Sequence, residues 1–93
     1  MCVQEVSSAE LVIKNRLGLH ARAAAKLVKA ASEYESEIRL VKDGEAADAR
    51  SVLSLISLGC SYDTTVVIEA EGQDAPHAIN ALKDIIENRF GEE

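Results

Sequence analysis

The segment ARAAAKLVKAA at residues 21–31 decides the fold class of this chain. Its apolar residues recur at the spacing of one helix face, and Lys26 and Lys29 fall on the opposite face. This pattern predicts a helix from Ala21 to about Glu33. Its six alanines, all within residues 21–31, would let the helix lie close to the surface that it covers.

Strand patterns flank this helix, with apolar and polar residues alternating at the period of a half-buried strand. Strands are predicted at residues 9–14, 36–42, 45–49 and 64–71, the third being short. Asp43-Gly44 is a two-residue hairpin signal between the second and third strands. Because each strand keeps a polar face, we expect an antiparallel or mixed sheet with helices on one side only.

Two further helices complete a β-α-β-β-α-β-α order. A short, strongly apolar helix is predicted at residues 51–58. The last helix is predicted from Ala75 to about Arg89, with Asp74 as its N-cap and Gly91 after its end. The order and the one-sided patterning together predict an α+β fold.

Length and charge exclude several classes of protein. Ninety-three residues suit a single domain, 1–93, in which residues 1–8 are expected to be a polar lead-in. A net charge of −6 repels phosphate backbones, so no nucleic-acid partner is expected. No apolar run approaches a membrane span and no signal peptide is visible, so we expect no membrane insertion. Cys2 and Cys60 lack metal-site spacing, which favours a reducing cytoplasm and predicts no metal.

The start of the first helix breaks the usual rules. His20 occupies the cap position and the cation Arg22 lies in the first turn, where acidic residues are favoured. Both choices suit a bound anion, because the free N–H groups of a helix start and a guanidinium attract phosphate oxygens. Neutral imidazole is also a nucleophile near neutral pH, and Gly18 lets the loop turn sharply before it. The alternative is a partly exposed histidine at a loop–helix junction, with Arg22 simply solvated.

The short helix carries the second unusual feature. Ser51 is an ordinary N-cap, but a phosphoserine at a helix start would also be stabilised by the helix dipole. Five apolar residues within 51–58 cover more of the helix surface than one sheet can bury. An edge of this arc, at Leu53, is therefore expected to be exposed and to mark a docking surface. The alternative is a deeply buried helix whose serine is only a cap.

Three segments resemble one known family. Residues 15–22, NRLGLHAR, followed by the alanine-rich helix, resemble the active-site segment of the HPr phosphocarrier family. Residues 50–59, RSVLSLISLG, resemble its regulatory-serine helix, and residues 78–82 resemble its last helix. The resemblance covers about residues 9–91. It departs from the family pattern at Ala23, where proline is usual, and at Arg50, where lysine is usual.

This resemblance implies a fold and a reaction. The fold would be an open-faced β-sandwich, with a four-stranded antiparallel sheet in the order 1-4-2-3 and helices on one face. His20 would accept a phosphoryl group at Nδ1 from phosphorylated enzyme I, with phosphoenolpyruvate as the ultimate donor, and would pass it to an EIIA-type protein. Arg22 would steady the phosphate. Ser51 would be the regulatory site of an HPr kinase/phosphorylase.

The resemblance also implies a monomeric carrier without a cofactor, a phosphotransfer intermediate rather than an enzyme. Its partners would dock on Leu17, Arg22, Lys26, Val52, Leu53 and Ile56. The alternative function is a regulatory or subunit-interaction module that docks through helix 51–58 without phosphoryl transfer. A third reading is a small ligand-binding domain that merely shares the fold.

Overall fold

The computed structural model describes residues 6–92, and its element order agrees with the predicted one. Its strands are β1 (Val6–Val12), β2 (Glu37–Lys42), β3 (Glu45–Asp48) and β4 (Thr65–Glu71). Its helices are α1 (Ala21–Ala31), α2 (Val52–Leu58) and α3 (Ala75–Glu87), followed by a 3₁₀ turn at Arg89–Gly91. None of the helices within residues 6–92 is long and apolar enough to span a membrane.

The four strands form one antiparallel sheet in the order β1-β4-β2-β3, as the resemblance implied. Leu11 of β1 lies opposite Val66 of β4, and Ile38 of β2 lies opposite Ala70 of β4. All four of these side chains are buried. The register therefore places the alternating apolar residues of neighbouring strands on the same face of the sheet.

The helices cover that apolar face. The buried positions of α1 are Ala23, Ala24, Leu27 and Ala31. Those of α3 are Ala75, Ala78, Ile79, Leu82 and Ile86. Three of the four buried residues of α1 are alanines, and Lys26 and Lys29 on its other face are exposed, as the sequence predicted.

The beginning of β1 corrects the prediction of a polar lead-in. The strand starts at Val6, which pairs with Glu71, and Ser7 pairs with Ala70. Backbone pairing with β4 extends the strand through residues whose side chains give little apolar signal. The rest of the predicted lead-in, residues 1–5, lies outside the described residues. The other predicted strand boundaries lie within two residues of those observed.

The end of α3 also differs from the prediction. The helix stops at Glu87, and both Arg89 and Phe90 have φ of +56°. Such left-handed backbone costs roughly 1–2 kcal/mol per residue. The turn buries the ring of Phe90 completely, and burying a phenylalanine contributes about 1.5–3 kcal/mol. Burial of this ring, together with the bond that the Lys26 ammonium donates to the Phe90 carbonyl, offsets much of that backbone cost.

Asp74 stands at the N-cap of α3, but its side chain does not cap the helix. Its carboxylate instead accepts bonds from the backbone N–H groups of Glu35 (2.8 Å) and Ser36 (2.9 Å) and from the Ser36 hydroxyl. These bonds lower the pKa of the Asp74 carboxyl, chiefly through the hydroxyl. The predicted N-cap position is therefore confirmed, but the expected side-chain cap bond is not formed, because the segment just before β2 takes the same oxygens.

We predict that Asp74→Ala lowers the melting temperature at neutral pH by removing the acceptor for both backbone groups. Because the pKa of Asp74 is lower in the folded state, its stabilisation is present above the ordinary pKa of a carboxyl. It is lost as the pH falls through the lowered value. The melting-temperature difference between wild type and variant should therefore shrink in acid. Asp84→Ala, which removes an exposed carboxylate of α3, is the control and should change little.

Candidate functional site

The loop at residues 15–20 packs against the segment that follows α2. Gly18 has φ of +69°, and a Cβ there would lie 2.6 Å from the Cys60 carbonyl oxygen. The Leu19 N–H donates to the same carbonyl at 2.8 Å. Only glycine fits both the backbone conformation and this close approach. The loop before α1 is thereby held against the C-terminal end of α2, and the sharp turn predicted at Gly18 is confirmed.

This loop delivers His20 to the first turn of α1. His20 is the N-cap residue, with extended backbone, and its carbonyl accepts the first helical bond, from Ala24 N–H at 2.8 Å. Its ring nitrogen Nδ1 faces the backbone N–H of Arg22 at 3.3 Å. About a quarter of the side chain is exposed (26%). The imidazole therefore accepts the backbone bond that a serine or aspartate N-cap would accept, and it remains accessible to solvent.

The other ring nitrogen of His20 contacts the end of the chain. His20 Nε2 lies 2.6 Å from Glu92 Oε2. The second carboxylate oxygen, Oε1, accepts a bond of 3.0 Å from Nδ2 of Asn15, and this nitrogen also donates to the Gly18 carbonyl at 2.7 Å. The bonds from Asn15 and His20 lower the pKa of the Glu92 carboxyl. An ionised carboxylate thus lies beside the candidate phosphate acceptor.

Arg22 lies exposed in the first turn of α1, where no acidic residue is present. Within residues 6–92, no side-chain hydrogen bond or ion pair engages its guanidinium. It is therefore available to an anion at the helix start. Lys26 lies one turn further along α1. Its ammonium already donates a hydrogen bond to the Phe90 carbonyl and is therefore less available to an anion.

Ser51 is the N-cap of α2. Its hydroxyl oxygen accepts a bond of 3.1 Å from the backbone N–H of Ser54, and the residue is partly exposed. The preceding Arg50 donates to the backbone carbonyls of Tyr34 and Ser36. The structure therefore supports the cap function that the sequence predicted, and Arg50 fixes the entry of the chain into this cap.

An apolar surface is exposed beside the site. Leu53 is 74% exposed and Ile56 is 42% exposed, and the two lie three residues apart on one side of α2. Leu55 and Leu58 are buried on its other side. The predicted exposure of Leu53 is confirmed. In the loop before His20, Leu17 is 71% exposed.

These groups occupy different ends of α2. The His20 loop meets the segment after its C-terminus, whereas Ser51 stands at its N-terminus. The seven residues of the helix span about 11 Å. Leu53 and Ile56 lie between the two ends, and Val52 is partly buried at the start. The predicted docking residues of α2 therefore lie between the candidate acceptor and the candidate regulatory serine.

Two other residues considered in the sequence lie outside this arrangement. Cys60 is buried, and burial raises the pKa of its thiol, so it is a poor nucleophile. His77 is exposed in the first turn of α3. We therefore assign no chemical role to Cys60 or His77.

Comparison with known proteins identifies the family of the chain. A family model described as the PTS HPr component phosphorylation site matches residues 7–88. The chain is 40% identical over 83 residues to the phosphocarrier protein HPr of Cupriavidus necator, covering 89% of this chain and 93% of that protein. It is 41% identical over 83 residues to the phosphocarrier protein NPr of Shewanella violacea, covering 89% and 91% respectively.

The chain belongs to the HPr family. Among solved structures, that of HPr-C-His from Thermoanaerobacter tengcongensis superimposes with a TM-score of 0.90 at 45% identity. The match covers 94% of this chain and 98% of that one. The resemblance seen in the HPr motifs therefore extends to the arrangement of the sheet and helices.

Sequence reasoning missed the contribution of Glu92. Asn15 belongs to the segment that resembles the HPr motif, but no motif includes Glu92. Seventy-two residues separate Glu92 from His20, and no local pattern connects them. Asn15 stands between the charged residues Lys14 and Arg16, so its full burial, which marks it as a polar residue with an internal partner, is seen only in the structure.

We predict that Gly18→Ala destabilises the fold and displaces the His20 loop. The left-handed backbone costs an alanine roughly 1–2 kcal/mol, and the clash with the Cys60 carbonyl adds to this. Gly44→Ala is the matched control, because Gly44 has φ of +82° but nothing within 4 Å of the added Cβ. Chemical denaturation should show the larger loss for Gly18→Ala. Equal losses would mean that the close approach to Cys60 is unimportant.

Proposed function

We propose that this chain is a phosphocarrier of the phosphoenolpyruvate-dependent phosphotransferase system. His20 accepts a phosphoryl group from phosphorylated enzyme I and passes it to an EIIA-type protein. The observation that carries the proposal is the placement of His20 Nδ1 at the N-terminus of α1, beside Arg22, whose guanidinium has no side-chain partner among residues 6–92. Membership in the HPr family, whose named relatives are phosphocarriers, supports the same function.

The proposed transfer step uses this geometry. The lone pair on Nδ1 attacks phosphorus and forms a P–N bond, while the bond from phosphorus to the donor breaks and its electron pair leaves with the donor atom. The proton on Nε2 stays in place. The incoming phosphoryl group takes the position that faces the Arg22 N–H, so its oxygens meet the free N–H groups of the helix start. Transfer to an acceptor reverses these steps.

Transfer between two proteins requires a surface on which each can dock. We assign this surface to Leu17, Leu53 and Ile56, which are exposed apolar side chains in the loop before His20 and on α2. Arg22 adds a positive charge at its edge. Such a surface combines an apolar centre with a charged rim, as is common in transient complexes.

Ser51 is the proposed regulatory site. Its hydroxyl is partly exposed at the start of α2, close in sequence to the exposed Leu53. Phosphorylation by an HPr kinase/phosphorylase would place about two negative charges at the edge of the docking surface. Because Ser51 lies at the other end of α2 from His20, the effect would act through partner docking rather than on the imidazole.

His20→Ala should abolish phosphoenolpyruvate-dependent labelling in the presence of enzyme I, because it removes the only proposed acceptor nitrogen. Intact-mass measurement before and after acid treatment checks this, since a phosphoramidate bond is acid-labile. His77→Ala is the control and should be labelled like wild type. Labelling of His20→Ala would refute the assignment of His20, and a wild type that takes up no label would favour the module that docks without phosphoryl transfer.

Ser51→Asp should slow transfer from enzyme I much more than it changes stability, because a carboxylate can still cap α2. The new charge lies beside the docking surface, where it repels an acidic partner and adds a desolvation cost. The defect should therefore shrink as salt screens the repulsion. Ser57→Asp adds the same charge at an exposed position of α2. A Ser51→Asp transfer rate equal to that of wild type at low salt would separate Ser51 from the docking surface.

A further inference from the structure

We propose that Glu92 is a positioning residue for phosphoryl transfer, which holds His20 in the tautomer whose Nδ1 carries a free lone pair. This inference rests on the proposed function, in which Nδ1 is the phosphoryl acceptor. Glu92 itself touches neither the phosphoryl group nor the partner protein in this scheme. It acts through its bond of 2.6 Å to His20 Nε2.

The two contacts of the imidazole agree on one tautomer. The Arg22 backbone N–H can only donate, so Nδ1 facing it must be an acceptor without a proton. The Glu92 carboxylate, whose pKa is lowered, can only accept, so Nε2 must carry the proton. The bond at one nitrogen thus determines which form the other nitrogen takes. Nucleophilic attack needs this form, because a protonated Nδ1 has no lone pair to offer.

Glu92 is itself held in place by other parts of the fold. Asn15, which is buried, donates to Glu92 Oε1 at 3.0 Å, so each carboxylate oxygen has a different donor. The Glu92 N–H bonds to the Arg89 carbonyl at 2.8 Å, and the neighbouring Phe90 is buried. The carboxylate is therefore fixed from both its backbone and its side chain, which a positioning role requires.

The same bond favours the phosphorylated state. As Nδ1 gives its lone pair to phosphorus, positive charge develops on the ring and is shared with the Nε2–H group. A carboxylate 2.6 Å away stabilises this charge without taking the proton. No additional reactant is needed, because the proton remains on Nε2 through transfer in both directions.

Two substitutions test the proposal. Glu92→Ala removes the acceptor from Nε2; for metal-binding histidines, loss of such a partner costs about 10- to 100-fold. We expect phosphoryl transfer to slow about tenfold by the same reasoning. Glu92→Gln should be slower still. Asn15 requires an oxygen at one end of the new amide, so its NH₂ group faces Nε2 and favours the wrong tautomer.

The direct readout is the ¹⁵N chemical shifts of the His20 ring under alkaline conditions, where imidazole is neutral. Wild type should show Nδ1 without a proton, and Glu92→Gln should shift toward the Nδ1–H form. Glu87→Gln is the matched control, because it removes one exposed carboxylate from α3 without touching the ring. Its ring shifts and transfer rate should match wild type.

Either of two results would overturn the proposal: Glu92 variants whose ring shifts match wild type, or a tautomer change with transfer rates within twofold of wild type. If Glu92→Gln disrupted the fold, its backbone amide shifts would change throughout the chain. The ring shifts and the transfer rate would then be compared for Glu92→Ala, the milder variant. The ring shifts do not depend on phosphoryl transfer. Failure of the proposed function is seen separately, as a wild type that takes up no label or as labelling that persists in His20→Ala.

Discussion

The close approach of the Gly18 backbone to the Cys60 carbonyl is the constraint on which the candidate site depends. A side chain at Gly18 would overlap that carbonyl, and the Leu19 N–H bonds to the same oxygen. This contact joins the exit of β1 to the segment after α2, two parts of the chain about 40 residues apart. The direction in which α1 begins, and therefore the position of His20, follows from it.

A histidine cap resolves the conflict between helix stability and function at this position. Serine or aspartate would satisfy the helix start more strongly, but neither offers a neutral nitrogen nucleophile. The bond from Arg22 N–H to His20 Nδ1 is long, at 3.3 Å, so little would be lost if a phosphoryl group replaced it, as the proposed function requires. Because the first turn of α1 contains no acidic residue, the positive electrostatic potential of the helix N-terminus is available to an incoming anion.

The end of the chain shows how a locally unfavourable backbone can be retained. Arg89 and Phe90 adopt left-handed conformations that a continuing helix would avoid. The turn buries Phe90, engages Lys26 and brings Glu92 to His20. Departures from local preference are expected where they serve a site. Here the local cost is balanced by tertiary contacts that no window of neighbouring residues reveals.

The sequence by itself determined the element order, the one-sided sheet and the candidate residues His20, Arg22 and Ser51, because periodicity and helix-start chemistry are local properties. The strand order came from the resemblance to a known family, since hydrophobic patterning does not specify which strands are neighbours. Only the tertiary structure decided that the Asp74 side chain binds the segment just before β2 instead of capping α3. It alone also brought Glu92 to the imidazole. Both outcomes depend on competition between hydrogen-bond partners distant in sequence, and that competition is settled only when the chain is folded.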